Sequence, residues 1–192
     1  MIYLASESVA RKEILTATGL IFTPIPSQLD ERRALLEYPN LSPKRTARTL
    51  AIKKATIIST EYPDDVIIGA DQTLCCSDEV FHKPQSMAKA SCQLKALRGK
   101  THVLYTAVCI MKSSVLLWST TTTAKLTMWN FSDKFIEEYL SVVGEDVLNT
   151  VGGYHLEGVG VRLFEKIHGD YFGIRGLPVI PVLNFLREKR LT

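Results

Sequence analysis

The alternation of apolar strands with amphipathic helices predicts an α/β fold. Three stretches carry that expectation. Val66-Ile67-Ile68 is a run of three β-branched residues, which reads as a buried strand. Ile2 to Ala5 is a short apolar strand that passes through a polar loop into a helix. From Ser42 to about Ser59, Ala47, Leu50, Ala51, Ala55 and Ile58 recur at helical spacing.

Ser8 is the expected N-cap of a helix from about Val9 to Thr18, stopped by Gly19. Phe22 to Pro26 reads as a second short strand, followed by Asp30-Glu31 on a loop. The central strand, Val66 onward, extends through Leu74-Cys75-Cys76. It turns at Ser77-Asp78-Glu79 and returns as Val80-Phe81, a hairpin. A helix is expected from about Met87 to Leu97, ended by Arg98-Gly99-Lys100. Thr101 to Met111 and Val115 to Trp129 read as two long strands, and the β-branched Thr120 to Thr123 run suits an exposed or edge position. Ser132-Asp133 caps a helix to about Val143. Val161 to Ile167 reads as a strand, and Gly176-Leu177-Pro178 opens a last helix to about Lys189.

Length and composition bound the function. A chain of 192 residues with 46% hydrophobic content makes one large domain, or two small lobes around one cleft. The net charge of +3, from 23 basic and 20 acidic residues, is not that of a nucleic-acid-coating protein. No apolar run reaches the roughly 20 residues of a membrane span, and the first residues lack the features of a signal peptide. Cys75, Cys76, Cys92 and Cys109 show no Cys-x-x-Cys spacing and read as reduced thiols of a cytosolic protein.

The candidate chemistry gathers at strand ends. Asp71 closes the apolar run Val66-Ile67-Ile68-Gly69-Ala70, and in α/β proteins ligands bind outside the carboxyl ends of the strands. An acid there can hold a metal ion or take a proton from water, although a turn-capping Asp looks the same locally. The Ser6-Glu7-Ser8 loop and the helix start after it form an anion site. Arg11 and Lys12 oppose the helix dipole there, which a bound phosphate or a solvated face would explain. Asp30 and Glu31 can ligate magnesium through oxygen. Lys53 and Lys54 lie within a helix, where a lysine ordinarily faces solvent. Pro84 forces Lys83 extended and so fixes its direction. Val151 to Gly160 holds four glycines in ten residues and reads as a loop that approaches a ligand closely.

In this order, these landmarks resemble the Maf family of nucleoside triphosphate pyrophosphatases, over nearly the whole chain. Leu4-Ala5-Ser6-Glu7-Ser8-Val9-Ala10-Arg11-Lys12-Glu13-Ile14-Leu15 is similar to the family's opening L-A-S-x-S-P-R-R-x-x-L-L. Asp30-Glu31 matches its acidic pair, and Leu50-Ala51-Ile52-Lys53-Lys54-Ala55 matches L-A-x-x-K-A, which selects Lys54 over Lys53. Gly69-Ala70-Asp71-Gln72, Lys83-Pro84, Gly169-Asp170-Tyr171 and Gly176-Leu177-Pro178 match the remaining motifs. The resemblance implies a homodimeric, cytosolic enzyme that depends on a divalent cation, Mg²⁺ or Mn²⁺. Its fold would be inosine-triphosphatase-like: a mixed, elongated β-sheet flanked by helices, with a central cleft. It also implies Asp71 as catalytic acid or base, Glu31 and Asp71 on the metal, and Ser6, Arg11, Lys54 and Lys83 on phosphate.

The chain departs from the family pattern at three places. Val9 and Ala10 replace Pro and Arg or Trp, and His82 replaces the Gly before Lys83. In the family, the positions of Ala10, Gln72 and Glu157 go with base specificity: Arg, Thr and Gln for dTTP and UTP, Trp, Gln and Glu for 7-methyl-GTP. This chain matches the second set at two positions and lacks its aromatic residue. The rival readings are a nucleotide-binding regulator of septum formation without catalysis and an enzyme acting on deaminated purine nucleotides.

Overall fold

A computed structural model describes residues 1–191. Seven strands, β1 (Ile2–Ala5), β2 (Thr23–Pro24), β3 (Val66–Cys76), β4 (Glu79–Phe81), β5 (Thr101–Lys112), β6 (Val115–Met128) and β7 (Phe164–His168), form one sheet. Its order is β2-β1-β3-β5-β6-β7, with β4 paired to β3. The sheet is mixed: β1 runs parallel to β2 and β3, while β3–β4 and β6–β7 are antiparallel. The helices are α1 (Val9–Ala17), α2 (Glu31–Leu36), α3 (Pro43–Glu61), α4 (Met87–Leu97), α5 (Asp133–Val143), α6 (Tyr171–Ile174) and α7 (Val179–Glu188). This is the α/β architecture expected from the sequence.

The chain folds as two compact units. The first comprises Met1–Gln72, Tyr105–Thr122 and the described residues from Asp170 on; the second comprises Thr73–Leu104 and Thr123–Gly169.

In the first unit, side chains alternate across β1 and β3, as strand geometry requires. Ile2, Leu4, Val66, Ile68 and Ala70 pack with Ile14 and Leu15 of α1 and with Val179, Val182, Phe185 and Leu186 of α7. Tyr3, Ala5 and Ile67 face the other way, against Ala47, Ala51, Ala55 and Ile58 of α3. Because both faces are covered, the strands read as unbroken apolar runs. Chain order turns back beside β1, with β2 on one side and β3 on the other. That crossover sets the carboxyl end of β1 beside the middle of β3, Ala5 opposite Gly69. Such a switch point is where open α/β sheets bind ligands.

The second unit packs α4 against α5 and against two 3-10 turns, Gly144–Asn149 and Val151–Gly153. The two-residue turn of the β3–β4 hairpin places Ser77 and Asp78 at φ 49° and 68°, the geometry that matches the twist of the strands. His102 is wholly buried; its Nε2 lies 2.7 Å from the hydroxyl of Tyr154. Burial holds the imidazole down at about 4.

Local boundaries differ from the sequence reading in four places. The Phe22–Pro26 strand shrinks to Thr23–Pro24, since Pro24 and Pro26 have no N–H for a ladder. Asp30-Glu31 is not a loop: Asp30 caps α2, its carboxylate accepting the Arg33 N–H at 3.0 Å. The expected strand from Val161 begins only at Phe164, because Val159–Leu163 is a 3-10 turn wound too tightly for a Cβ at Gly160, which would lie 2.4 Å from the His155 carbonyl oxygen. The last helix starts at Val179, and a short helix the sequence did not signal, α6, precedes it.

Candidate active site

The first unit brings five of the expected site residues into one network. Lys54, on α3, places its ammonium 2.6 Å from Asp71 Oδ1 and 2.7 Å from Glu31 Oε1. Asp71 stands on β3 just past Ala70, and Glu31 is the first residue of α2. Two carboxylates from different elements thus converge on one positive charge. The close approach of α3 to the sheet makes this reach possible. Gly69 has no side chain, and a Cβ there would meet the Ala51 carbonyl oxygen at 2.3 Å and the Ala55 Cβ at 2.7 Å.

Arg11 supports the same region of β1 and β3 from α1. It is buried, with Nε donating to the Gly176 carbonyl at 2.8 Å and Nη1 donating to the Ala70 carbonyl at 2.9 Å and to Ser6 Oγ at 3.1 Å. Ser6 is buried too, and its oxygen also accepts the Ser8 N–H at 3.2 Å. Ser8 is the N-cap of α1, as its sequence context predicts. Arg11 and Ser6 are therefore tied into the protein through several bonds. Arg11 remains a cation, since a guanidinium does not deprotonate in proteins. Burial lowers its affinity for the proton, against the pull of Asp71 and Glu31.

Asp71 is 6% exposed. Desolvation pushes its carboxyl above the ordinary value, Lys54 and Arg11 pull the other way, and Glu31 adds to the upward push. A carboxylate whose proton affinity is raised by burial is a better base than one in water.

Two expected specificity residues belong to this unit. Ala10 is half-buried on the first turn of α1. Gln72 Nε2 donates to Thr106 Oγ1 at 2.8 Å, to the Ile174 carbonyl at 3.0 Å and to the Gly173 carbonyl at 3.1 Å. Thr106 in turn donates to Gly173 at 2.8 Å. The amino group expected at a base edge thus holds α6. Thr106 has a sequence signal in retrospect: it is a hydroxyl residue opening the apolar run Ala107-Val108-Cys109-Ile110. Lys53 does not simply face solvent either. It pairs with Glu37 at 2.7 Å and lies 5.1 Å over the ring of Tyr38.

Lys83 and Glu157 belong to the second unit. Lys83 is exposed on the stretch after β4, next to the buried Pro84. Glu157 is exposed in the turn between Val151–Gly153 and Val159–Leu163. All four cysteines are free thiols. Among the described residues no helix is long and apolar enough to cross a membrane.

Comparison with known proteins shows the family. Residues 1–189 match the family described as Maf-like protein. A protein of Rhizobium etli named 7-methyl-GTP pyrophosphatase is 45% identical over 187 residues, covering 96% of this chain and 94% of its own. A namesake from Rhizobium johnstonii is 46% identical over the same length, with the same coverage. A nucleoside triphosphate pyrophosphatase of Rhodopseudomonas palustris is 41% identical over 188 residues, covering 98% of this chain and 93% of its own. Among solved structures, a HAM1 protein from Coxiella burnetii superposes with a TM-score of 0.43 at 15% identity, over 66% of this chain and 72% of that one. With the family match spanning nearly every residue and relatives above 40% identity over more than nine-tenths of their lengths, this chain belongs to the Maf-like protein family.

Proposed function

We propose that this chain hydrolyses a nucleoside triphosphate to the nucleoside monophosphate and pyrophosphate. The observation that carries the reading is the Asp71–Lys54–Glu31 network at mid-β3, just past the residues that pair with the carboxyl end of β1, in a chain whose relatives are named as pyrophosphatases. Water attacks the α-phosphorus, the bond from that phosphorus to the oxygen bridging it to the β-phosphate breaks, and pyrophosphate leaves. Asp71 takes the proton from the attacking water. Lys54 offsets negative charge that builds on the phosphate oxygens, and Arg11 and Ser6 add to the grip.

The donor set suits a hard divalent cation. Asp71 and Glu31 present carboxylate oxygens to a single centre of positive charge. No three His, Cys, Asp or Glu side chains gather into a metal cage among the described residues. Magnesium takes that pattern, holding one or two carboxylates and completing its shell with waters and substrate phosphates. Asp71 and Glu31 would hold the ion, which when bound neutralises phosphate charge.

The base preference is carried over from the family pattern at the positions of Ala10 and Glu157. A carboxylate accepts hydrogen bonds from amino and imino groups and is mismatched to the O4 of thymine or uracil, where two acceptors would meet. Ala10 removes the bulk of Arg or Trp and with it a stacking partner. The enzyme on this reading is broad or takes modified nucleotides, and is poor on dTTP and UTP. A panel of nucleoside triphosphates with magnesium or manganese, scored for pyrophosphate, tests both parts. Nucleotide binding without pyrophosphate release overturns the reaction, and a preference for dTTP or UTP overturns the base reading. Glu157→Gln with Gln72→Thr and Ala10→Arg should shift preference toward dTTP and UTP. The homodimer and cytosolic setting belong to the same reading, and light scattering on the purified protein tests the first.

A further inference from the structure

We propose that Lys53 is a positioning residue: by docking the far end of α2 it sets Glu31 in place at Lys54. This rests on the reading of Glu31 as a metal-holding group. The helix α2 is six residues long and buries only Ala34, while Leu36 is 80% exposed. A cavity of about 300 Å³ opens beside it, lined by Leu29, Arg33, Ala34, Lys53 and Ile57 among others. Apolar packing therefore does little to fix this helix on α3. Its two ends are fixed by charge instead. At the start, Glu31 pairs with Lys54 at 2.7 Å. At the C-cap, Glu37 pairs with Lys53 at 2.7 Å, and the same ammonium sits over Tyr38. Adjacent lysines on α3 thus take one acid from each end of α2. A six-residue helix held at only one end can swing about it, and Glu31 would then no longer be held in one place.

The two bonds differ in surroundings. The Lys54 side chain is 12% exposed and Asp71 stands behind it, whereas Glu37 is 65% exposed. The Lys53 clamp is accordingly a modest, solvent-screened contact joined to a cation–π contact. Losing both should release α2 without unfolding the unit. The consequence would appear in how well the site holds its cation, with turnover at saturating cation left nearly intact.

The test compares Lys53→Met, which keeps the stem and removes the charge, with Lys53→Arg, which keeps charge and reach. Two quantities are read: amide hydrogen exchange across Glu31–Leu36, and the magnesium concentration giving half-maximal pyrophosphate release. Lys53→Met should speed exchange in α2, leave α3 unchanged, and raise the magnesium midpoint about three- to tenfold with kcat at saturation within about twofold. Lys53→Arg should restore both. Unchanged exchange refutes the docking role. Faster exchange with an unchanged midpoint also refutes the proposal, since Lys53 would then be structural only. Glu31→Gln is the reference: if it leaves the midpoint unmoved, Glu31 holds no metal and the proposal falls. Pyrophosphate release by the unaltered enzyme would still stand as the separate test of the reaction.

Discussion

Replacing Gly69 by alanine should damage fold and activity together. A Cβ at Gly69 would stand 2.3 Å from the Ala51 carbonyl oxygen, where ordinary contact begins at 3.4 Å. The obstacle is helix backbone, so relief requires α3 to lift from β3 by about 1 Å, forfeiting contacts along its Ala47, Ala51 and Ala55 face. Overpacking of a core costs about 1–3 kcal/mol, and a backbone obstacle belongs at the upper end. At about 3 kcal/mol, a chain of this size loses roughly 6–12 °C in Tm. The same lift moves Lys54 from its 2.6 Å contact with Asp71. Misplacing a catalytic group by about 1 Å costs on the order of 10²-fold in rate. Calorimetry and pyrophosphate release on purified Gly69→Ala read the two effects. Gly19→Ala is the control: Gly19 also lies in the first unit, at φ 75°, with nothing within 4 Å of an added Cβ. It should cost only the left-handed strain of about 1–2 kcal/mol and leave turnover alone. Adding Ala55→Gly to Gly69→Ala should not rescue, because the Ala51 carbonyl remains. A Gly69→Ala enzyme that melts within about 2 °C of the parent and turns over normally would refute the close-packing argument.

Asp71→Asn keeps the side-chain shape and one contact to Lys54, so it should melt near the parent while turnover falls by roughly 10²-fold or more; normal turnover removes Asp71 from the mechanism. Arg11→Lys replaces a planar fork that reaches Gly176, Ala70 and Ser6 with a single ammonium. The unpaired buried carbonyl should cost about 1–3 kcal/mol, seen as a lower urea midpoint at constant slope. His102 adds an acid sensitivity. Folded, it titrates near 4 against an ordinary 6.5, so between those values the unfolded chain binds the proton and the folded chain does not. Stability is therefore flat above pH 6.5 and falls on acidification by up to about 3 kcal/mol by pH 4. His102→Leu should be less stable at neutral pH, having lost the Tyr154 hydrogen bond, and should lose that part of the acid slope; urea titrations at pH 7 and 4.5 decide it.

The features legible in the sequence are the local ones. Ser8, Ser42 and Ser132 cap helices because each hydroxyl bonds an amide three residues on, a relation contained within one turn. The Val66-Ile67-Ile68 start of β3 was readable for the same reason, although β3 runs on through Asp71 to Cys76 and the acid stands mid-strand. What the sequence does not mark are contacts with distant partners. Arg11 is bonded to a carbonyl 165 residues away, and Gln72 to carbonyls just over 100 residues away. Nothing near either residue marks those contacts. The short helix α2 buries one residue and so shows no periodicity, which is why Asp30 passed for a loop acid when it is a cap. Lys53 and Lys54 look alike in sequence; one is told from the other by which end of α2 each meets.

The first unit is assembled from distant parts of the chain, which bears on how it is made. Ile2, Leu4, Val66 and Ile68 find half their cover in Val179, Val182, Phe185 and Leu186. Between Gln72 and Asp170 lie about a hundred residues, so at ordinary synthesis rates that sheet face waits some 5–20 s for α7 after β3 has emerged. Arg11 waits as long for the Gly176 carbonyl. A nascent chain of this protein therefore exposes a bare apolar strand pair and an unanchored arginine until α7 has been made, and it is inactive and prone to stick throughout that interval.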